Sequence, residues 1–463
     1  MYQAIFYNRK TGNIHLWDDK NGETSFKYTP YAYRKSGSGK YKSIYGDKLD
    51  KTTKFYRGED GLFESDVPVE TRVLIDAYGE SDDVSVGHRM TVLDIEVDST
   101  GGYPKVDNPK QKVTAIALYD AVTKHYYCYV LDEDKIVVSR TEGDKTILSF
   151  EREEDLLLSF LTKWEEISPT IVTGWNIDGF DFPYLLARLN FLFDEQTGAR
   201  LSSIGIAYYN QYKQKVTIAG VNCIDYYHLY KQYSGKNLPN LRLDTVGMEE
   251  LKVGKVKFEG SIDDLKKSDI NKFIEYNLHD VVIVVKMNEK LQFIELAMNI
   301  CHVCHTGYEE FNISGKILEG ALLTYLRRKN LVAPNKNLMS EEEAVFVKDD
   351  DDDDDDDNVT NDKVGFKGAY VKDPIPGRYE WICSADINSL YPSTIMSLNI
   401  SPETKICVIK DWSSDKLIKK SQDKIIFGDD EYTYEQFSLE IIDNNLSVSF
   451  NGVVYDEGKL GCI

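Results

Sequence analysis

The run Met90-Thr91-Val92-Leu93-Asp94-Ile95-Glu96-Val97 places two acids two residues apart inside an otherwise apolar stretch. Read as a strand it alternates with period two, so Leu93, Ile95 and Val97 share one face while Asp94 and Glu96 point together to the other. Neighbouring carboxylates repel, and flanks this apolar argue for burial rather than for a solvated edge. A divalent cation resolves the conflict, because hard cations take carboxylate oxygens. The alternative is an edge strand with a wet acidic face. With 77 acidic residues among 463, Asp-x-Glu also arises by chance. The rest of the chain has to decide between the two.

Length predicts about three domains. A hydrophobic content of 42% with 31 tyrosines is enough for real cores, so the chain is globular. No apolar run reaches membrane-spanning length, and the start, Met1 to Asn8, lacks the charged and apolar regions of a signal peptide. Seven scattered cysteines read as reduced intracellular thiols. A net charge of −22 argues against a protein that coats nucleic acid through bulk electrostatics. Any DNA contact has to use local basic patches or metal ions that invert the local field.

Residues 1 to about 88 read as short strands and turns, with an Asn21-Gly22 hairpin between the Ile14–Trp17 and Thr24–Tyr28 runs. Ser36-Gly37-Ser38-Gly39-Lys40 lacks the spacing of a phosphate loop and reads as a basic surface loop. Strands are predicted at Val113–Tyr119, Tyr126–Leu131 and Ile171–Trp175, and helices at Glu151–Trp164 and Phe182–Phe193, which gives a mixed sheet with helices. Asp181 stands just before Phe182-Pro183, where an N-cap role and a metal-ligand role are compatible. Residues 206–218 predict a protruding hairpin. A helix is predicted over about 268–300, with Tyr276 and Asp280 one turn apart on one face. Asp280 precedes Val281-Val282-Ile283-Val284-Val285, so it is buried and needs a metal or a basic partner such as a nearby Lys.

Cys301-His302-Val303-Cys304-His305 matches a haem-attachment pattern, but that chemistry belongs to an exported context, so the cluster is read as chance. Residues 341–361 form a low-complexity acidic segment, Glu341-Glu342-Glu343 and then Asp349–Asp357, expected to be a disordered insertion. Beyond it an apolar strand through Trp381 and Ile382 is expected to end at Asp386. A turn then opens a helix through Ser389, Leu390 and Tyr391, where backbone amides can meet phosphates. Ile425 to Asp430 reads as a plain turn, and Asn451-Gly452 as another hairpin.

Taken in order, Asp94-Ile95-Glu96, Gly174-Trp175-Asn176 with Phe180-Asp181-Phe182-Pro183-Tyr184, Tyr276-x-x-x-Asp280 and Asp386-x-x-Ser389-Leu390-Tyr391-Pro392-Ser393 resemble the N-terminal half of family B DNA polymerases. The subgroup most resembled is the replicative polymerases of T-even-type tailed phages, a likeness extended by Gly368–Tyr379 and Asn399–Thr404. The resemblance implies that Asp94, Glu96, Asp181 and Asp280 hold two Mg²⁺ or Mn²⁺ ions of a 3′–5′ proofreading exonuclease, with Tyr276 orienting the attacking water. It implies that Tyr103 stacks on a frayed 3′ base and Asn176 contacts the terminal nucleotide, the 206–218 hairpin helping to part the strands. It further implies that Asp386 and the Ile387 carbonyl bind the two polymerase metals. The Ser389 and Leu390 amides would meet the dNTP triphosphate, with the Tyr391 ring beneath the sugar.

The expected architecture is a multidomain α/β protein. A β-rich N-terminal domain (1–88, completed by 293–362) is followed by a ribonuclease-H-like exonuclease domain with a mixed sheet (89–292) and a partial polymerase palm (363–463). The second catalytic Asp-Thr-Asp hairpin and the Lys-bearing nucleotide-binding helix of the family do not occur in the chain. The expectation is therefore the N-terminal subunit of a split polymerase, or a truncated one. It would act on primer-template DNA and single-stranded 3′ ends with a second polypeptide supplying fingers, remaining palm and thumb. A sliding clamp would be reached through that partner. Phage-encoded action in the host cytoplasm is implied, with no membrane. A stand-alone single-strand exonuclease and a non-catalytic DNA-binding subunit are the alternatives.

Overall fold

The computed structural model describes residues 1–56, 59–336, 373–410, 412–419, 424–428 and 430–462. The acidic segment 341–361, the stretch Gly368–Val371 and Asp429 lie outside the described residues. The chain divides into two compact units, one of residues 1–30 with 67–329 and one of residues 31–66 with 330–463.

In chain order the first unit opens with β1 (Tyr2–Asn8), β2 (Asn13–Asp18) and β3 (Gly22–Lys27), an antiparallel meander whose second turn uses the expected Asn21-Gly22 pair. The second unit takes β4 (Ala32–Lys35), β5 (Tyr41–Ser43), β6 (Lys48–Thr52) and β7 (Leu62–Phe63). The chain re-enters the first unit at α1 (Val69–Tyr78) and builds β8 (Met90–Val97), β9 (Val113–Asp120), β10 (His125–Leu131), β11 (Arg140–Glu142) and β12 (Lys145–Phe150). Then follow α2 (Glu153–Ile167), β13 (Ile171–Thr173), α3 (Phe182–Leu192) and α4 (Glu195–Ala199). The β14 (Ala207–Asn210) and β15 (Lys215–Ile218) hairpin and β16 (Asn222–Cys223) come next. The unit closes with α5 (Tyr226–Tyr233), α6 (Leu243–Leu251), α7 (Ile262–Ser268), α8 (Ile270–Leu291), α9 (Phe293–Cys304) and α10 (Ser314–Arg328).

Seven strands form one mixed sheet in the order β11-β12-β10-β9-β8-β13-β16. The acidic strand β8 therefore lies inside the sheet, antiparallel to β9 and parallel to β13, which excludes the wet edge. Helices cover both faces. Leu93, Ile95 and Val97 join Phe160 and Trp164 of α2 and Leu185 and Leu189 of α3 in one core. Val92 joins Ile274, Leu278, Val281 and Val285 of α8 in the other. The period-two reading of β8 thus holds, and it turns Asp94 and Glu96 toward α8. Where a single helix over 268–300 was expected, the chain breaks at Gln292. That residue's left-handed φ of 54° ends α8, and α9 starts at once.

A buried ion pair ties the α2–α3 layer together. Arg188 of α3 donates Nε and Nη2 to the Glu153 carboxylate at 2.8 and 2.6 Å, and Nη1 to the Pro109 carbonyl at 2.8 Å. Glu153 Oε1 also accepts from the Val113 N–H at 2.8 Å, so one carboxylate connects two helices to the start of β9.

In the second unit, β17 (Leu331–Val332) pairs in parallel with β5, completing a five-stranded sheet over Tyr31, Tyr33, Leu49, Phe63 and Val332. Further on, strands Lys405–Val408, Leu446–Val448 and Val453–Asp456 form a sheet, with a hairpin at Ile425–Phe427 and Asp430–Tyr432 and a helix at Tyr434–Asp443. The Asn451-Gly452 turn forms as expected, Gly452 at φ 82°. The strand expected through Trp381 and Ile382 does not form. Residues 382–387 are irregular and Trp381 is 98% exposed. Among the described residues no strand pairs with this segment. The helix expected after it does form, at Leu390–Ser397. Among the described residues no helix is long and apolar enough to cross a membrane.

Removing Glu153 strands a buried guanidinium and the Val113 N–H, a loss on the order of 3–5 kcal/mol. Glu153→Ala should accordingly lower the melting temperature of this unit by about 10 °C. A shift under about 3 °C would show that the pair is not what joins α2 to α3.

Candidate active site

Asp94 and Glu96 leave the α8 face of β8 two residues apart, both half-buried, and Asp280 of α8 faces them, buried. One carboxylate oxygen from each of these three lies within 4.8 Å of the others. Around them the neutral and cationic partners are few. Asn277, fully buried one turn before Asp280, donates Nδ2 to Asp94 Oδ2 at 2.7 Å. Lys255 forms an ion pair with Asp280 Oδ2 and donates to Tyr276 Oη at 3.0 Å. Asp280 Oδ1 is buried without a hydrogen-bond partner.

Asp181 reaches β8 from the turn that precedes α3. It ends a single π-helical turn, Ile177–Asp181, and precedes α3 with Pro183 in the first turn as expected. It makes no side-chain cap. Its Oδ1 instead accepts from the Ile95 N–H at 3.0 Å, between the two acids of β8. The expected cap is thus replaced by a backbone contact to β8. The turn reaches the strand because Gly174 has no side chain: a Cβ there would lie 2.3 Å from the Leu93 carbonyl oxygen.

Burial drives the electrostatics. It pushes the carboxyls of Asp94 and Asp280 upward, Glu96 up to about 8 and Asp181 to about 7. For Asp94 the charges of Asp280, Asp181 and Glu96 add to burial, and Lys255 opposes it. Burial lifts the Tyr276 phenol to about 12, so it stays protonated near neutral pH. The donor set is all oxygen, it is short of positive charge, and Asp280 carries an orphaned oxygen. Hard divalent cations fit it.

Tyr103 is 78% exposed in the loop after β8, its ring 6.1 Å from Phe180, which stacks on Tyr184. The loop is pinned by Asp263 of α7, whose carboxylate accepts from the Ser99 N–H at 3.2 Å. Asn176 opens the π turn at a left-handed φ of 66°. The hairpin of β14 and β15 carries a fully exposed Tyr212 at its tip. Asp386, Ile387, Ser389, Leu390 and Tyr391 lie in an exposed stretch, and among the described residues no group of three or more metal-ligating side chains includes Asp386. Lys255 and Asn277 escaped the sequence reading. Lys255 sits in a loop 25 residues before Asp280 with no local pattern to mark it.

Residues 62–246 match the description "DNA polymerase family B, exonuclease domain", and residues 313–446 match "DNA polymerase family B". The chain belongs to DNA polymerase family B. The first match contains Asp94, Glu96 and Asp181, the second Asp386 to Tyr391, and Asp280 falls between them. The DNA-directed DNA polymerase of Escherichia phage RB69 is 31% identical over 68% of this chain, which spans 36% of that protein. The DNA-directed DNA polymerase of Enterobacteria phage T4 is 27% identical over 84% of this chain and 46% of its own length. The DNA polymerase catalytic subunit of human herpesvirus 6B is 26% identical over 56% of this chain and 26% of its own. The chain therefore spans less than half the length of these relatives, and within it the exonuclease and palm domains of the family are both represented.

Carboxyls held protonated above their ordinary range stabilise the fold at low pH, and that contribution is lost as pH rises through their folded values. Without divalent ions the melting temperature should therefore fall as pH rises through 7 and 8, the values for Asp181 and Glu96. Saturating Mg²⁺ should reverse the loss, adding about 2.7 kcal/mol at 100-fold over Kd. A metal-free melting curve flat across that range would contradict the electrostatics described.

Proposed function

We propose that this chain is a 3′–5′ exonuclease joined to part of a DNA-polymerising site. The observation that carries the proposal is the meeting of Asp94, Glu96 and Asp280 across β8 and α8, inside a chain of this family. Asp94, Glu96, Asp280 and Asp181 would hold Mg²⁺ or Mn²⁺. When bound, such ions supply Lewis acidity for water attack on the terminal phosphodiester and offset charge on the leaving 3′ oxygen.

The chain's own residues account for the rest. Lys255 occupies one lone pair of Tyr276 Oη, so the phenolic proton is free to point into the recess and hold a water. Asn277 fixes the orientation of Asp94. Tyr103, exposed beside the Phe180–Tyr184 stack, offers a platform for an unpaired 3′ base, and stacking of this kind is sequence-tolerant. Asn176, one turn before Asp181, would contact the terminal nucleotide, and the β14–β15 hairpin would help part the strands.

On the polymerase side, Asp386 and the Ile387 carbonyl would contribute metal ligands. Ser389 and Leu390 open the Leu390–Ser397 helix, where free N–H groups suit a triphosphate. Tyr391, exposed rather than packed in a core, would lie under the dNTP sugar. We further propose the division into an N-terminal domain (1–88 with 293–362), an exonuclease domain (89–292) and a partial palm (363–463). Trp381 and Ile382 are both exposed, apolar side chains that suit cover by another surface. The expected split-polymerase arrangement assigns that cover to a second polypeptide with fingers and thumb, through which a sliding clamp would act in a host cytoplasm.

The purified chain should degrade single-stranded DNA from the 3′ end with Mg²⁺ or Mn²⁺. Asp94→Ala and Asp280→Ala should each lower the rate by at least about 10²-fold, since one lost ligand empties a metal position. Full activity surviving both changes, made separately and checked on an end-labelled oligonucleotide, would sink the nuclease assignment.

A further inference from the structure

Resting on the exonuclease reading, we infer that Asp225 is a positioning residue for that site: one buried carboxylate that holds the Asn176–Asp181 turn in register with β8. Asp225 stands at the N-terminus of α5 and is 1% exposed. Its Oδ1 accepts from the Tyr227 N–H at 2.9 Å, which caps the helix. The same oxygen accepts from the Asn176 N–H at 2.9 Å, and Oδ2 accepts from the Asp178 N–H at 3.1 Å. A cap needs only the first of these bonds. The other two reach into the turn that carries Asn176 and Asp181.

That turn needs holding. Asn176 is left-handed, a conformation that costs a non-glycine residue free energy and persists only where its surroundings impose it. The π turn that follows is a single turn with its far end fastened by Asp181 to the Ile95 N–H. Asp225 fastens the near end. A second brace runs alongside: Lys215, which opens β15 just after the hairpin tip, lies 3.8 Å from Asp178 Oδ2 and 3.2 Å from Glu309 Oε2. Glu309 in turn accepts from the Cys223 N–H at 3.1 Å, the residue two before Asp225.

Asp178, Asp225 and His228 bring ligand atoms within 4.8 Å of one another, which invites a metal reading. The hydrogen bonds argue otherwise. Three N–H donors already occupy the Asp225 oxygens, and Lys215 supplies countercharge to Asp178. The group is built to hold backbone, and its output is the placement of Asp181 and Asn176. Small displacements of a ligand-bearing segment are costly for metal binding and turnover, and loss of supporting partners of this kind typically costs 10–100-fold.

Asp225→Ser keeps the cap and weakens the anchor, because serine is a preferred N-cap for the Tyr227 N–H yet lacks the Oδ2 that holds the Asp178 N–H. Leaving the Asp178 N–H without that acceptor should lower its melting temperature by only a few degrees. The Mn²⁺ midpoint, read by electron paramagnetic resonance on the full chain without DNA, should rise about 10-fold. On a single-stranded oligonucleotide kcat should fall about 10–100-fold with KM unchanged. Asp225→Asn keeps one acceptor for Tyr227 and Asn176 but turns an amide donor toward the Asp178 N–H, so it should show losses of the same kind and supplies the measurement if the serine variant does not fold. Unchanged Mn²⁺ midpoint and kcat in either folded variant would overturn the inference, as would a loss of stability alone. Failure of the underlying reading is distinguishable: it appears as full activity in Asp94→Asn, whatever Asp225 does.

Discussion

Three carboxylates that cannot all stay charged in one another's company organise this protein. With Asp94, Glu96 and Asp280 oxygens within 4.8 Å, each charged pair costs about 3–4 kcal/mol at an effective dielectric of ~20. Three pairs come to on the order of 10 kcal/mol, as much as the whole stability of a typical domain. Such a recess survives only if protons, a basic side chain or cations neutralise it. Metal-free, the protein uses the first two, raised carboxyl pKa values and the single ammonium of Lys255. Both are makeshift. Protons leave as pH rises, and Lys255 reaches Asp280 but leaves Asp280 Oδ1 without a partner.

The fold holds the repelling groups in place by making their supports rigid. β8 is paired on both sides and covered on both faces, so neither acid can swing outward by bending the strand. Asp280 sits mid-way along a 22-residue helix whose apolar stripe is packed into the same core as Val92. Asp181 comes in on a turn that touches β8 only because Gly174 permits it, and it is locked by a backbone N–H between the two acids. Opposed elements thus carry the charges, and no single local rearrangement relieves them. A cation shared among Asp94, Glu96 and Asp280 would offset that repulsion.

What the sequence made legible follows from local rules. Period-two alternation placed Asp94 and Glu96 on one face of β8. Helical spacing placed Tyr276 and Asp280 together, and Asn-Gly pairs marked two hairpins. What it hid is non-local. Lys255 and Asn277 act on acids far away in the chain, Lys255 from a loop and Asn277 from inside an apolar helix. Asp181 looked like a helix cap because the cap pattern is local, whereas its real partner, the Ile95 N–H, is 86 residues away. Trp381 and Ile382 carry strand-forming side chains, but a strand needs a neighbour to bond, and none is present among the described residues.

The most direct test is to locate the cation itself. Crystals of the full chain grown with Mn²⁺, and measured near the manganese absorption edge, report each bound ion as an anomalous difference peak. The account requires a peak among Asp94, Glu96 and Asp280, with the Lys255 ammonium drawn away from Asp280. Peaks confined to the Asp178–Asp225–His228 group, or Mn²⁺ absent from the β8–α8 recess at saturating concentration, would contradict it.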